Sequence, residues 1–576
     1  MGLDARSGRG GFSRRLTGST GGASEGGEAS KGPDVRLEDA EGGEASKDPD
    51  GRLGDGGGDD SAAPRIHPAI LNSKISQCRD ARGLLKLVGK HGDIFDAIHV
   101  GAAWGALAKC GTGRDAQIIE LLRVPTMTNM HEMGERVVAN VAHSIGRLCG
   151  NGRMVVDDEL AGALQAHATA TAGDFKPRGI SILMWSLEKM GIQNLDAGLV
   201  EAVQRRATAT AGGFDPQATA NLMLALAKMG VRPDAGLLAA MQGQATATAG
   251  DFKSQEVANL MWALATMGIK DPDAGLVEAM QGRVMQTPGD LKSQEVAMLM
   301  WALATMDVAP DAGLVEAMQA RARRNAEGFK PLEVANVMWA LAKMGIKNPD
   351  AGLLEAMQRR ATETVGDFEP QNVAMFMWAL ATMGVKDPDA GLVEAMQRRA
   401  TETAGDFLPQ GVANLTWALA KMGVKPDAGL LEAMQGRATA TTGDFIPQNV
   451  ANFVWALAKM GVKTPDAGLL EAMQARATAT AGAFEPKGVV MLMWALAKMD
   501  ITPDEALVEA MQARALETAG NFDPQGVAML MRALAVMEAR LDAGLVVAMQ
   551  GRAKETAGEF KPREVDPTPS TLNSQP

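Results

Sequence analysis

From about residue 64 the apolar and polar positions repeat every 38 to 39 residues, and each period predicts two helices. One copy reads Phe252-Lys-Ser-Gln-Glu-Val257-Ala-Asn-Leu260-Met261-Trp262-Ala-Leu264-Ala-Thr-Met267-Gly268. Val257, Leu260, Met261 and Leu264 fall at i, i+3, i+4 and i+7, which is one face of a helix. Ala258, Trp262 and Ala265 form a second apolar stripe beside it, so this helix, A, is expected to lie buried between neighbours. Proline in its first turn, as at Pro177, Pro331 and Pro447, and a glycine such as Gly268 at its end mark its limits. After a turn such as Lys270-Asp271-Pro272-Asp273, the run from Ala274 to Arg283 predicts an amphipathic helix B. Acids near its start and Arg near its end suit the helix dipole. No stretch alternates with period two.

The repeat organises the whole chain. All nine tryptophans, Trp104, Trp185, Trp262, Trp301, Trp339, Trp378, Trp417, Trp455 and Trp494, occupy one position of it. His143, Leu224 and Arg532 stand at the equivalent place in three further copies, which gives about twelve in all. Phenylalanine recurs ten residues before the tryptophan position, for example at Phe214, Phe252, Phe368 and Phe445. A hairpin that cannot bury helix A alone must stack on its neighbours, so the expected fold is all-α, an α-solenoid of about twelve helical hairpins. Burial of one indole per repeat removes roughly 150 to 250 Å² from water and accounts for its regularity, so the tryptophans are assigned to the core. The methionines where the hairpins close, Met229, Met267 and Met344, are assigned to packing gaps.

Four segments follow from this. Residues 1–63, rich in Gly, Ser, Asp and Glu, are expected to be disordered. Their first 24 residues carry Arg6, Arg9, Arg14 and Arg15 against Asp4 alone and lack an apolar core, which excludes a secretory signal and fits an organelle transit peptide. Residues 64–160 hold divergent repeats, 161–563 the regular array, and 564–576 a disordered tail.

Composition narrows the chemistry. The 576 residues carry a net charge of −12, so any nucleic-acid binding must come from locally arranged cations. There are no tyrosines, and Cys78, Cys110 and Cys149 form no CxxC pair, which excludes a disulfide framework and a four-ligand zinc site. No dinucleotide, zinc-protease or nucleophile motif occurs. Gly83-Leu-Leu-Lys-Leu-Val-Gly89-Lys90 misses the phosphate-loop spacing by one residue and has His91 where Ser or Thr is required. The six histidines suit no metal site. The expectation is therefore no enzyme, no cofactor, no metal, no small-molecule substrate and no membrane span.

Two features rise above packing. An arginine ends helix B in nine of ten successive repeats: Arg206, Arg283, Arg321, Arg360, Arg399, Arg437, Arg476, Arg514 and Arg552, with Gln244 the exception. Stacked, they form a ladder able to follow a phosphate backbone; dipole stabilisation and pairing with helix B glutamates is the rival explanation. Second, otherwise similar copies differ six positions before the tryptophan: Gly179, Ala218, Glu256, Glu295, Glu333, Asn372, Gly411, Asn449, Gly488 and Gly526. The preceding residue is mostly Gln. Three positions before the tryptophan, asparagine (Asn221, Asn259, Asn336, Asn414, Asn452) alternates with Met298, Met375 and Met491. Such variation on a constant scaffold suits a reader taking one base per repeat, and drift after duplication produces it too. For the asparagines, a buried hydrogen bond to a neighbouring helix end is the stronger expectation.

The signature Phe-x-Pro-Gln-x-Val-Ala-Asn-x-x-Trp-Ala-Leu-Ala-Lys-Met-Gly at Phe407 to Gly423, repeated at Phe445 to Gly461, resembles the octotricopeptide repeat. The lead-in Leu71 to Cys78, with Leu84-Leu85 and Ala102 to Lys109, is also similar to the leucine-rich region of FAST-kinase-like mitochondrial RNA regulators. It is similar as well to a helical component of an RNA-editing substrate-binding complex. The resemblance spans roughly residues 66 to 563. It implies sequence-specific binding of single-stranded RNA in a mitochondrion or chloroplast, controlling processing, stability, editing or translation, with protein partners in a ribonucleoprotein complex. A protein–protein scaffold of the solenoid type, working in the cytoplasm if there is no organelle address, is the alternative. The candidate RNA contacts are the nine arginines with Glu256, Glu295, Glu333, Asn372 and Asn449.

Overall fold

The computed structural model describes residues 66–110, 115–192, 194–385, 388–463 and 465–559. The N-terminal region expected to be disordered or to carry an organelle address, and the C-terminal tail, lie outside the described residues. Among these residues every regular element is a helix, and the chain is an all-α solenoid of helical hairpins.

The chain divides into two compact units between Ala163 and Leu164. The first contains α1 (Pro68–Ser76), α2 (Ala81–His91), α3 (Ala97–Lys109), α4 (Asp115–Asn129), α5 (Glu135–Gly150) and the start of α6 (Asp158–Ala170). Its repeats are divergent and its core is individual. Trp104 is fully buried and donates its indole N–H to Thr126 Oγ1 at 2.9 Å. A largely buried Arg153–Asp115 pair at 2.7 Å fastens the start of α4 to the segment after α5. The glycine–lysine segment that approaches a phosphate loop in sequence is simply part of α2.

The second unit is regular. Its A helices are α7 (Pro177–Lys189), α9 (Pro216–Lys228), α11 (Ser254–Thr266), α13 (Ser293–Thr305), α15 (Pro331–Lys343), α17 (Pro370–Met383), α19 (Pro409–Met422), α21 (Pro447–Lys459), α23 (Pro486–Lys498) and α25 (Pro524–Val536). Between them run the B helices α8 (Ala197–Ala209), α10 (Ala235–Ala247), α12 (Ala274–Gln286), α14 (Ala312–Arg324), α16 (Ala351–Glu363), α18 (Ala390–Glu402), α20 (Ala428–Ala440), α22 (Ala467–Ala479), α24 (Glu505–Glu517) and α26 (Ala543–Glu555). Successive A helices pack along their length and successive B helices touch more sparingly, giving an A layer and a B layer.

The sequence dictates these limits. Each B helix opens on an aspartate that accepts from the backbone N–H three residues on, as Asp273 does from Leu276 at 2.8 Å and Asp504 from Leu507 at 2.6 Å. Such a cap contributes about 1 kcal/mol. Each A helix follows a short 3-10 turn and a buried residue, Phe252 or its counterparts. Val257, Leu260, Met261 and Leu264 are fully buried, as their spacing predicts, and so is Ala258. The A helices end on a left-handed residue, glycine in most hairpins (Gly268, φ 70°), but Asp307, Asp500 and Glu538 take the same conformation at φ 54°, 59° and 52°.

Candidate nucleic-acid interface

The B-helix arginines have a structural occupation. The Nε of each donates to the backbone carbonyl of the residue that opens the same hairpin, at 2.6–2.8 Å: Arg206 to Phe175, Arg283 to Phe252, Arg321 to Leu291 and Arg360 to Phe329. Arg399, Arg437, Arg476, Arg514 and Arg552 repeat it on Phe368, Phe407, Phe445, Phe484 and Phe522. Gln244 does the same with its amide, to Phe214 at 2.7 Å. What recurs in all ten hairpins is the donor, while the charge is dispensable. In four of them Nη1 also meets a glutamate one turn on, as Arg514 meets Glu517 at 2.7 Å. A clip between the end of B and the start of A therefore accounts for the recurrence of this position without a ligand.

A second ladder ties hairpin to hairpin. A glutamine in the middle of the B helix accepts from the backbone N–H of the next hairpin's capping aspartate, for example Gln204 from Asp234 at 2.6 Å and Gln319 from Asp350 at 2.8 Å. Ten glutamines face ten aspartates in this way. The recurring glutamine, which follows methionine in eight of the ten cases and Leu164 or Val203 in the other two, was the sequence signal for it.

The variable position at the start of helix A separates into three groups. Glu256, Glu295 and Glu333 each accept from the backbone N–H of the lysine three residues before, at 2.9–3.1 Å. Burial raises their pKa values against the lowering effect of that bond. Where the N-cap is aspartate it reaches forward instead, to Ala218 at 2.7 Å and Gly526 at 2.6 Å, and a small residue suffices. Gly411 and Gly488 leave room for a ring: a Cβ would stand 3.1 Å from Phe407 and 3.2 Å from Phe484. These are alternative ways to satisfy or pack a helix start. Asn372 and Asn449 fit none of them; they are 5% and 6% exposed, and no side-chain hydrogen bond engages them among the described residues.

The tryptophans depart from the expected core. Trp104 is buried and Trp301 is 9% exposed, but Trp185, Trp262, Trp339, Trp378, Trp417, Trp455 and Trp494 are half-exposed. The reason is helix phase. Trp262 shares its stripe with Gln255, Asn259 and Thr266, at i, i+4, i+7 and i+11, and this stripe faces away from Val257, Leu260 and Leu264. The polar company of the indole was the legible signal, outweighed by its size. Neighbouring rings meet: Trp262 and Trp301 have centroids 6.2 Å apart, Trp417 and Trp455 6.5 Å, and Trp455 and Trp494 6.4 Å, each pair tilted by 35°. These distances lie within the aromatic-pair range of roughly 4.5–7 Å.

Cations edge this line of rings. Lys189 Nζ lies 5.9 Å from the Trp185 centroid. Lys228, Lys343, Lys421, Lys459 and Lys498 occupy the same place, four residues after the ring position, with Thr266, Thr305 and Thr382 in three other hairpins and Val536 in the last. Glu188 sits between Lys189 and Lys228, at 3.3 and 3.8 Å, and Asp307 meets Lys343 at 3.1 Å. Three residues before the ring position, Asn221, Asn259, Asn336, Asn414 and Asn452 are half-buried and make no side-chain hydrogen bond among the described residues. The expected bond to a neighbouring helix end does not form.

The acidity lies elsewhere. Glu201, Glu278, Glu316, Glu355, Glu394, Glu432, Glu471 and Glu509 stand exposed at one position of the B helices. The net charge of −12 thus coexists with a lysine-edged A layer. Among the described residues no His, Cys, Asp and Glu cluster fits a metal, and no helix is long and apolar enough to cross a membrane.

Comparison with known proteins adds a direction. A family model described as RNA-editing substrate-binding complex 6 protein matches residues 244–501, and a second, of a protein family of unknown function, matches residues 188–223. No curated protein matches the chain. Among solved structures, a pentatricopeptide repeat protein from maize is similar at TM-score 0.25 and 12% identity, covering 85% of this chain and 86% of its own. An engineered protein follows at TM-score 0.23 and 12% identity (82% and 98%), and a homology model of the AP-3 complex at 0.23 and 9% (86% and 87%). The assignment of the fold rests on the chain's own helices.

Proposed function

We propose that this chain binds single-stranded RNA along the exposed stripe of its A helices. The observation that carries the reading is the line of half-exposed indoles in register on stacked helices, edged by lysines and by asparagine amides that make no hydrogen bond among the described residues. Bases stack on such rings whatever their identity, each contact contributing about 1–3 kcal/mol, and the lysines meet the backbone. Tryptophan offers nothing comparable to the stacked interior of a duplex. The A helices carry the row of lysines beside the rings, whereas most B helices mix exposed glutamate with arginine, so the A layer is the proposed binding side.

In this reading the nine arginines and Glu256, Glu295 and Glu333 support the face by fixing where each A helix begins, while Asn372 and Asn449 lie buried at the start of theirs. The match to a model for an RNA-editing substrate-binding complex protein supports a place in RNA maturation alongside protein partners, with an organelle as the proposed compartment. No chemistry is assigned to the chain itself.

The test is binding of the full chain to a labelled random single-stranded RNA pool and to a duplex of equal length, at two salt concentrations. The expected result is preferential retention of single strands, weakened by salt, and at least about a 100-fold loss in a W417A/W455A/W494A variant. Equal binding of the triple variant, or no retention at low salt, overturns the reading. Protein partners that survive ribonuclease would then favour the scaffold alternative.

A further inference from the structure

Four positions of helix A reach the exposed stripe, and only one of them varies in a way able to encode a sequence. The ring position is tryptophan in most hairpins. Seven residues earlier stands glutamine in most of them, including Gln217, Gln255, Gln371, Gln410 and Gln448. Four residues later a lysine or threonine sets charge rather than base identity. The residue three before the ring switches between two chemistries, in chain order Asn221, Asn259, Met298, Asn336, Met375, Asn414, Asn452 and Met491.

These side chains differ in what they demand. A carboxamide has two donors and one acceptor oxygen, whereas a thioether is at most a weak acceptor. Each asparagine is half-buried beside its ring position, and no described residue gives it a side-chain hydrogen bond. A base stacked there covers the amide from water, and one whose edge does not match leaves it unpaired, at a cost of roughly 5- to 100-fold in affinity. Methionine repacks against any base edge.

Resting on the RNA-binding reading, we propose that this residue is the specificity determinant: asparagine hairpins select their base and methionine hairpins accept any. Across the eight hairpins from α9 to α23 the order is selective, selective, open, selective, open, selective, selective, open. Its selective positions, the first, second, fourth, sixth and seventh, read the same from either end. The prediction therefore holds for both strand directions.

The experiment is selection of RNA by the full chain from a random single-stranded pool, followed by sequencing, with N336M and M298N in parallel. The expected wild-type motif has information at five positions spaced 1-2-4-6-7 and none at the third and fifth. N336M is expected to erase information at the fourth position alone, and M298N to create it at the third. Half-exposed positions make both substitutions compatible with the fold. Retention with information spread evenly, with a different spacing, or with N336M weakening all sequences alike overturns this assignment and leaves RNA binding standing. Failure to retain any RNA overturns the binding itself.

Discussion

Gln244 donates its side-chain amide to the Phe214 carbonyl at 2.7 Å, in the place where nine other hairpins use an arginine for the same bond. A neutral donor therefore suffices. R399Q is expected to keep most of the stability that R399A loses, because glutamine still reaches Phe368 and alanine leaves that half-buried carbonyl without its donor. The loss in R399A is about 1–3 kcal/mol, the cost of an orphaned group. Urea unfolding of the two variants under identical conditions checks it; equal losses would show that the charge, not the bond, stabilises the hairpin.

The glutamine ladder couples neighbours rather than the two helices of one hairpin. Q319A removes the acceptor for the Asp350 amide, bonded at 2.8 Å. Amide hydrogen exchange is expected to speed up at the start of α16 while the A helices α15 and α17 stay protected. Uniform acceleration across both layers would contradict the ladder's role.

Burial raises the pKa of Glu333 above the ordinary glutamate value of 4.5, with the Lys330 amide and the nearby Lys330 and Arg360 charges opposing. The folded protein then holds this proton more tightly than the unfolded chain, so stability falls as pH rises from about 4.5 through the raised value. E333Q keeps the acceptor for the Lys330 amide and removes the titration. It is expected to flatten that part of the stability–pH curve and to be the more stable form at neutral pH, read by urea midpoints across the range.

Indole accessibility separates the core ring from the stripe. Most of the tryptophan emission is expected to be quenched by acrylamide, with a residual protected fraction from Trp104, and bound single-stranded RNA is expected to shield the stripe. A wholly protected spectrum in the free protein would place the rings back in the core.

Asp500 takes a left-handed conformation at φ 59°, where most hairpins have glycine. D500G relieves a strain of roughly 1–2 kcal/mol less the entropy glycine loses, so a gain of about 0.5–1 kcal/mol is expected in the urea midpoint. Asp307 is the poorer choice, because its carboxylate also meets Lys343 at 3.1 Å.

The period, the two helices per repeat and their limits were legible because they depend on local rules: aspartate caps, proline in the first turn, glycine at the end, and an i, i+3, i+4, i+7 stripe. The exposed face of helix A was not. Trp262 belongs to the core by size and to the surface by phase, and only the stacking of neighbouring A helices decides between them. The bond of Arg399 to the Phe368 carbonyl was not legible either, because it links residues 31 apart in sequence. The Gln–Asp bonds span 30 or 31 residues for the same reason, apart from the 38-to-39-residue period that sequence comparison detects.

The two bond systems differ in reach. Arginine to phenylalanine stays inside a hairpin, and glutamine to aspartate always crosses to the next one. If a whole hairpin is excised, the glutamine before the gap meets the aspartate after it, and no arginine loses its carbonyl. Insertion of a hairpin works equally well. The array is thus editable in whole units, so its length can change by unequal recombination without leaving a broken seam.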